Sequence, residues 1–252
     1  MTHMPTDVAP ASREQIRILG VPVDVVTMSD AMAKLETFVA SGKPHFVITA
    51  DASSIVQAQT DPDLKALYDR ADLVTPDSAG VLWASPRFGH KLTERVSGVD
   101  MVDHVCALSA EKGYRVYFLG AAPGIAELAA ERMRLRYPGC HIVGARHGYF
   151  PAESDTVIAE EVAKENPDFL FVAMGIPRQE KFILATQKII GARVAMGVGG
   201  SLDVFSGTVK RAPKLMQKMR LEWAWRFMLN PKKIGKVMLL PKFIGLVLRS
   251  KR

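Results

Sequence analysis

Tyr117-Phe118-Leu119-Gly120-Ala121-Ala122-Pro123-Gly124 ends an apolar run in small residues, and apolar positions near helical spacing follow from Ile125 to Arg136. Strand, small-residue loop, helix is the arrangement that aims backbone N–H groups and a helix dipole at a phosphate. Gly120 and Gly124 let a ligand come close to the backbone. The stretch is neither a complete Gly-x-Gly-x-x-Gly nor a Walker loop, because no Lys-Ser or Lys-Thr follows. A tight turn without a ligand is the plain alternative.

The same alternation runs on both sides of this stretch. Short apolar runs at His45–Ala50, Leu73–Thr75, Arg115–Leu119, Ile142–Ala145, Phe169–Met174 and Val194–Val198 read as strands. Helical patterns occupy Asp51–Ala71, Ile125–Arg136, Glu153–Glu165 and Arg178–Ile190. Strands that are apolar throughout and separated by helices predict an α/β fold: a Rossmann-like, mostly parallel sheet with helices on both faces. A further strand and helix are expected in Arg17–Ala40, with Ser29 or Asp30 near the helix start.

Two more strand ends carry polar or glycine-rich loops. Met196-Gly197-Val198-Gly199-Gly200-Ser201 precedes Asp203, and Met174-Gly175-Ile176-Pro177-Arg178-Gln179-Glu180 follows the strand before it. In open α/β sheets ligands sit beyond the carboxyl ends of the strands, so these loops together favour a nucleotide or diphosphate ligand. Thr49 and Asp51 close one predicted strand, and Asp77 follows the next after Thr75-Pro76. A carboxylate on that rim can act as a general base, although capping or an Asx-turn is the commoner use of Asp there. Arg95 either binds phosphate or pairs with Glu94 or another acid.

The 252 residues divide by charge. Residues 210–252 hold thirteen Lys or Arg and one acid, Glu222, a net +12; since the whole chain carries +7, the part before Lys210 carries −5. Three segments are expected: a flexible tail (1–13), the α/β core (14–209) and a basic helical appendage (210–252). Pro213, Pro231 and Pro241 cut the appendage into short pieces. The nearly uncharged run Val237–Leu248 suits an amphipathic helix on an anionic membrane surface, or equally a core-facing helix with one solvated side. Nothing reaches the roughly 18 apolar residues of a membrane span, and residues 1–13 lack the apolar core of a signal peptide. Two cysteines, Cys106 and Cys140, make no disulfide framework, and the six histidines show no zinc spacing.

Several longer motifs occur together: Phe118-Leu119-Gly120 through Pro123-Gly124, His147-Gly148-Tyr149-Phe150, Pro167-Asp168 through Gly175-Ile176-Pro177-Arg178-Gln179-Glu180-Lys181, Gly197-Val198-Gly199-Gly200-Ser201-Leu202-Asp203-Val204, and Lys210-Arg211-Ala212-Pro213 with Glu222-Trp223. In this order they resemble the WecG/TagA/CpsF glycosyltransferases of bacterial surface-polysaccharide and teichoic-acid synthesis, from about Ile18 to Lys236. The resemblance implies inverting, metal-independent, cofactor-free transfer from a UDP-sugar to a polyprenyl-diphosphate-linked sugar. It places the protein peripherally on the cytoplasmic face of the plasma membrane, with no nucleic-acid partner and a homo-oligomer left open.

The resemblance also implies roles for single residues. Asp77 matches the catalytic base, Thr49 and Arg95 active-site positions, Tyr149, Gln179 and Asp203 the nucleotide-sugar pocket, and Arg226 a diphosphate-reaching arginine. Gly120, Gly175, Gly199 and Gly200 supply loop backbone, and Asp51 is a second carboxylate near Asp77. The chain departs from the pattern at Asp51 (commonly Asn), Ser78 (commonly Gly), and Lys233 and Lys236 (Arg in some members). The competing readings are a nicotinamide-dependent oxidoreductase and a non-catalytic basic membrane or nucleotide-binding module. The first is weakened by the incomplete fingerprint and by Arg146 where an acid is wanted.

Overall fold

The computed structural model describes residues 13–213, 215–216, 225 and 239–250. Its centre is a six-stranded, wholly parallel sheet: β3 (His45–Ala50), β4 (Leu73–Pro76), β5 (Val116–Gly120), β6 (Ile142–Arg146), β7 (Phe169–Ala173) and β8 (Val194–Gly197), in spatial order β4-β3-β8-β7-β5-β6. Each strand falls within a residue or two of the expected run.

Alternation along the strands feeds two cores. Phe46, Ile48, Tyr117, Leu119, Leu170, Val172 and Ala195 face one side, packed against Ile55, Leu64, Ile158 and Phe182. Val47, Val116, Phe118, Phe169, Phe171, Val194 and Met196 face the other, against Leu35, Val102, Val105, Ala129 and Met133. Both faces are therefore dry, which is why the strands read as continuous apolar runs. The doubly covered parallel sheet was the expected architecture.

The helices differ from expectation at four places. Asp51–Ala71 is two helices, α2 (Ala52–Gln57) and α3 (Pro62–Asp69). Pro62 has no N–H for an interior turn and starts a helix instead, capped by Asp61. Arg17–Ala40 is a hairpin, β1 (Gln15–Ile18) and β2 (Val21–Asp24), before α1 (Met28–Ala40). Leu19 and Gly20 both take positive φ in its two-residue turn. The cap of α1 is Thr27, with Asp30 closing the capping box three residues on. Glu153–Glu165 begins as a 3₁₀ turn (Ala152–Ser154) before α7 (Asp155–Lys164). Helices α4 (Ala79–Ala84) and α5 (Gly98–Lys112) lie in a stretch to which the sequence reading assigns no element. The expected helices Ile125–Arg136 (α6) and Arg178–Ile190 (α8) are found with those bounds, and the short α9 (Ser201–Phe205) follows β8.

Both ends of the described chain are tied in. Arg13, expected in the flexible tail, forks onto the fully buried Asp24 (2.7 and 2.9 Å) and also donates to the Ala71 carbonyl. Residues 1–12 lie outside the described residues. The last described helix, Leu239–Arg249, packs against α2 and α4, with Phe243 and Val247 buried in the same core as Phe182. Arg87 holds its end by donating to the Leu248 and Ser250 carbonyls, both at 3.0 Å. Of the run Val237–Leu248, the described part from Leu239 is thus not wholly a surface element: its inward face is core. Ile244, Leu248, Lys242 and Arg249 remain exposed. Among the described residues no helix is long and apolar enough to cross a membrane. Cys106 and Cys140 are buried free thiols.

Candidate active site

The carboxyl ends of all six strands form one rim, and register decides what meets there. Thr49 pairs with Thr75 and Ala50 with Pro76, so Asp51 and Asp77 leave neighbouring strands at the same height. Their roles then diverge. Asp51 caps α2: its Oδ1 accepts from Ser54 N and Ser53 Oγ, both at 2.7 Å, while its own N–H donates to Ser54 Oγ. Beneath it the buried Tyr68 hydroxyl donates to the same Ser54 oxygen at 2.7 Å, and burial pushes that phenol up. Asp51 is first of all a helix cap, a role Asn performs as well.

Asp77 does not cap α4. Ser78 does, its hydroxyl accepting from Val81 N. The Asp77 carboxylate instead accepts at Oδ2 from the Gly98 N–H, 3.2 Å away, where α5 begins. Backbone bonds from Asp77 N to Ala50 O and from Val96 N to Pro76 O clamp the two loops together. A methyl group placed on Gly98 would stand 3.5 Å from Thr49 Cγ2, 3.8 Å from Val198 Cα and 3.9 Å from Asp77 Oδ2. Thr49, Asp77, Gly98 and the β8 loop therefore surround one point. Gly98 was missed in the sequence, although Ser97 before it and Asp100 after it form a readable N-cap pattern.

The glycine loops continue the rim. Gly120 holds φ +136°, and a side chain there would overlap the Ala173 backbone at 2.4 Å, so only glycine fits. Gly148 packs on the Gly120 Cα and donates to the Ala121 carbonyl, which accounts for the His147–Phe150 motif at this point. Tyr149, next in that motif, is 72% exposed at the end of β6. Phe150 lies against Phe182 and under the Arg178 guanidinium, which is paired with Asp155.

Gln179 is 2% exposed and works beneath the surface. Its Oε1 accepts from both Gly175 N (3.0 Å) and Gly199 N (3.1 Å), and its Nε2 donates to the buried Glu180 at 2.7 Å. One amide thus binds the loop after β7 to the loop after β8. Gly197 has no side chain because Gln179 Nε2 would lie 2.4 Å from it. The Asp203 carboxylate stands beside Gly200, and its carbonyl accepts from Val209 N.

Arg95 does not pair with Glu94, whose carboxylate instead accepts from Met28 N. Arg95 Nη2 lies 3.6 Å from Asp100 Oδ2, and Arg211 Nη2 donates to the other oxygen of Asp100 at 2.7 Å. Burial alone would raise Asp100, but the Ser97 hydrogen bond and the two guanidinium charges outweigh it and hold the carboxyl below its ordinary value. Arg226, Lys233 and Lys236 lie outside the described residues. Among the described residues, no three His, Cys, Asp or Glu side chains converge as a metal-binding group.

A rim of this kind suits a nucleotide-sugar, and comparison with known proteins bears on which chemistry it serves. The chain is 32% identical over 240 residues to a Staphylococcus aureus protein named N-acetylglucosaminyldiphosphoundecaprenol N-acetyl-beta-D-mannosaminyltransferase, covering 94% of each chain. A Bacillus spizizenii protein of the same name is 35% identical over 216 residues, covering 86% of this chain and 83% of its own. The family profile described as glycosyl transferase WecG/TagA/CpsF matches residues 16–252. These matches displace the oxidoreductase and adaptor readings: the chain belongs to the WecG/TagA/CpsF family of glycosyltransferases.

Proposed function

We propose that this enzyme transfers an N-acetylhexosamine-type sugar, N-acetylmannosamine first among the candidates, from UDP to a polyprenyl-diphosphate-linked N-acetylglucosamine. The transfer inverts the anomeric centre and uses no metal. The observation that carries the reading is Asp77, fixed by the Gly98 N–H at the strand-end rim, with Thr49 and Val198 of the loop after β8 around the same glycine. The relatives' printed name supplies the sugar and acceptor class.

In this reading the acceptor hydroxyl gives its proton to Asp77 as its oxygen bonds the donor's anomeric carbon. The bond from that carbon to the diphosphate oxygen breaks on the opposite face, so an α-linked donor gives a β-linked product, in keeping with the relatives' name. UDP leaves with its charge met by backbone N–H groups of the loops before α6 and α8, at the positive ends of those helices, and by guanidinium groups. No step calls for a metal: Asp51 Oδ1 is committed to capping and Asp77 Oδ2 to Gly98.

The lipid-linked acceptor requires a membrane approach. Exposed Trp83 on α4 and exposed Ile244 and Leu248 on the last described helix share the chain's surface with Lys242 and Arg249. Apolar side chains beside cations support peripheral attachment to the anionic cytoplasmic leaflet.

A screen of UDP-sugars for UDP release, with a short-chain lipid-diphosphate N-acetylglucosamine present, tests the proposal. Release is expected with UDP-N-acetylmannosamine, dependent on acceptor, and the product linkage should be β by NMR. Release with no UDP-hexosamine, or an α-linked product, defeats it.

A further inference from the structure

Two side chains beside Asp77 carry hydrogen-bonding groups that the fold does not use. Asp51 commits Oδ1 to its cap, accepting from Ser54 N and Ser53 Oγ, both at 2.7 Å. Its other carboxylate oxygen, Oδ2, has no partner among the described residues. Ser78 is committed in the opposite sense. Its hydroxyl oxygen accepts from Val81 N at 3.3 Å, capping α4, and from Ala52 N at 3.2 Å, in the first turn of α2. Both lone pairs are then taken, and the O–H hydrogen has no acceptor among the described residues. The Ala52–Ser78 bond ties α2 to α4, so an unused acceptor and an unused donor are held in fixed relation. Both residues are half-buried, on the two loops that leave β3 and β4 side by side. Capping accounts for Oδ1 and for the serine oxygen; it leaves Oδ2 and the serine hydrogen unexplained.

We propose that Asp51 Oδ2 and the Ser78 hydroxyl together read one hydroxyl of a sugar bound beside Asp77, and so select which sugar the enzyme takes. The inference rests on the transferase reading and adds to it the residues that set sugar specificity. A sugar hydroxyl both donates and accepts: it gives its hydrogen to Oδ2 and takes one from Ser78. A carboxylate oxygen offers only lone pairs, so a carbonyl or ether oxygen in the same place would face repulsion. The bond to Oδ2 is charge-assisted, roughly twice as strong as a neutral one. A site that hydrogen-bonds a hydroxyl rejects the analogue lacking it, because its own polar groups are then left unpaired. The sugar is either the one on the UDP donor or the one on the lipid-linked acceptor, since the two meet beside Asp77.

The test compares kcat/KM on the full chain for intact substrates and for analogues lacking one sugar hydroxyl at a time. One arm varies the sugar of the UDP donor. The other varies the sugar of a short-chain lipid-diphosphate acceptor, with its attacking hydroxyl kept. Wild type is expected to reject one analogue in one arm by about 10- to 100-fold, the weight of a charge-assisted hydrogen bond. That arm names the sugar that is read. Asp51→Asn keeps the cap through Oδ1 but puts an N–H where Oδ2 was. It should handle the intact substrate about 10-fold worse and distinguish it from that analogue by no more than about threefold. Ser78→Gly, a tolerated change at an N-cap, should shrink the same preference in part. A purely structural role would instead lower every substrate by one common factor.

An Asp51→Asn protein that keeps the wild-type preference, or loses the same factor on every substrate, overturns the proposal. So does a wild type indifferent to every single hydroxyl, and a full preference in Ser78→Gly overturns the shared reading. If Asp51→Asn does not fold, Asp51→Ser, which caps a helix without a second oxygen, decides by the same comparison. A wild type that turns over no nucleotide-sugar defeats the transferase reading instead. Calorimetric binding of UDP-sugars and their deoxy analogues to wild type and Asp51→Asn then decides the pair by itself: the preference must be present in the first and lost in the second.

Discussion

Replacing Gln179 by alanine removes one amide and three hydrogen bonds, and the structure says what each is worth. Gly175 N and Gly199 N lose their acceptor. An unmet buried N–H costs about 1–3 kcal/mol, and both glycines are half-buried, so water can reach them and the lower figure applies. Glu180 loses its 2.7 Å donor while buried, and a charge-assisted bond there is worth about 1.5–3 kcal/mol. The sum is roughly 3–5 kcal/mol, a large part of the 5–15 kcal/mol typical of a domain. Urea unfolding should show it as a midpoint lowered by roughly 1.5 M, for a slope of 2–3 kcal/mol per molar. UDP affinity should fall as well, because the two loops are no longer held to each other. Gln179→Glu keeps the shape but sets a second carboxylate against Glu180. One of the pair is then pushed up in the folded state, so this variant should gain stability as pH falls and lose it as pH rises. A folded Gln179→Ala protein that loses under about 1 kcal/mol and binds UDP as wild type does would refute the reasoning.

Asp77→Asn should lower turnover by roughly 10²- to 10⁴-fold with UDP binding nearly unchanged, and near-normal turnover would remove Asp77 as base. Gly98→Ala meets only ordinary contacts at 3.5–3.9 Å, so thermal stability should hold or rise slightly while the methyl beside Asp77 cuts turnover; unchanged turnover would mean the reacting groups lie elsewhere. Phe243→Ala should cost about 3–5 kcal/mol in urea unfolding without any membrane present, whereas a purely membrane-facing helix would show no such loss. Activity should survive excess EDTA, and loss restored by manganese would recast Asp51 and Asp77 as ligands.

The parallel sheet was legible because both its faces are dry: a strand buried on two sides cannot alternate, and six continuous apolar runs follow. The bounds of α6 and α8 were legible from Gly124 before one and Gly191 after the other. The split at Pro62 had a local signal outweighed by apolar spacing that ran through it; the turn at Leu19-Gly20 and the Ser97 cap of α5 also had local signals. The strand-end candidates could be read because chain direction alone puts Thr49, Asp77, Gly120, Gly175 and Gly199 on one edge. What each side chain does there was not readable. Gln179 resembles a ligand contact in sequence, and the structure adds that it braces two loops through backbone atoms 4 and 20 positions away. The Asp100–Arg211 pair spans 111 positions, and no spacing rule reaches that far.

The appendage shows how charge and packing can point in different directions along one segment. Its charge of +12 argues for contact with anions outside the fold, and the burial of Phe243 and Val247 argues for attachment to the core. The last described helix meets both demands because its two faces are separable. Phe243 and Val247, four residues apart, lie on the same stripe and lock against α2 and α4, while Ile244 and Leu248, one step round, stay in solvent. Helix α4 starts two residues after Asp77, and α2 starts directly after Asp51. The helix that carries the outward apolar face is therefore packed on the two helices whose first residues frame the site. Gly80 makes the closeness possible: a side chain there would lie 3.1 Å from the Ala52 Cβ and 3.6 Å from the Phe243 ring. A bulky residue at Gly80 would part α4 from α2 and from the last helix at once. Such a change should disturb both Asp77 placement and the seating of Phe243, two effects that separate folds for core and appendage would keep apart.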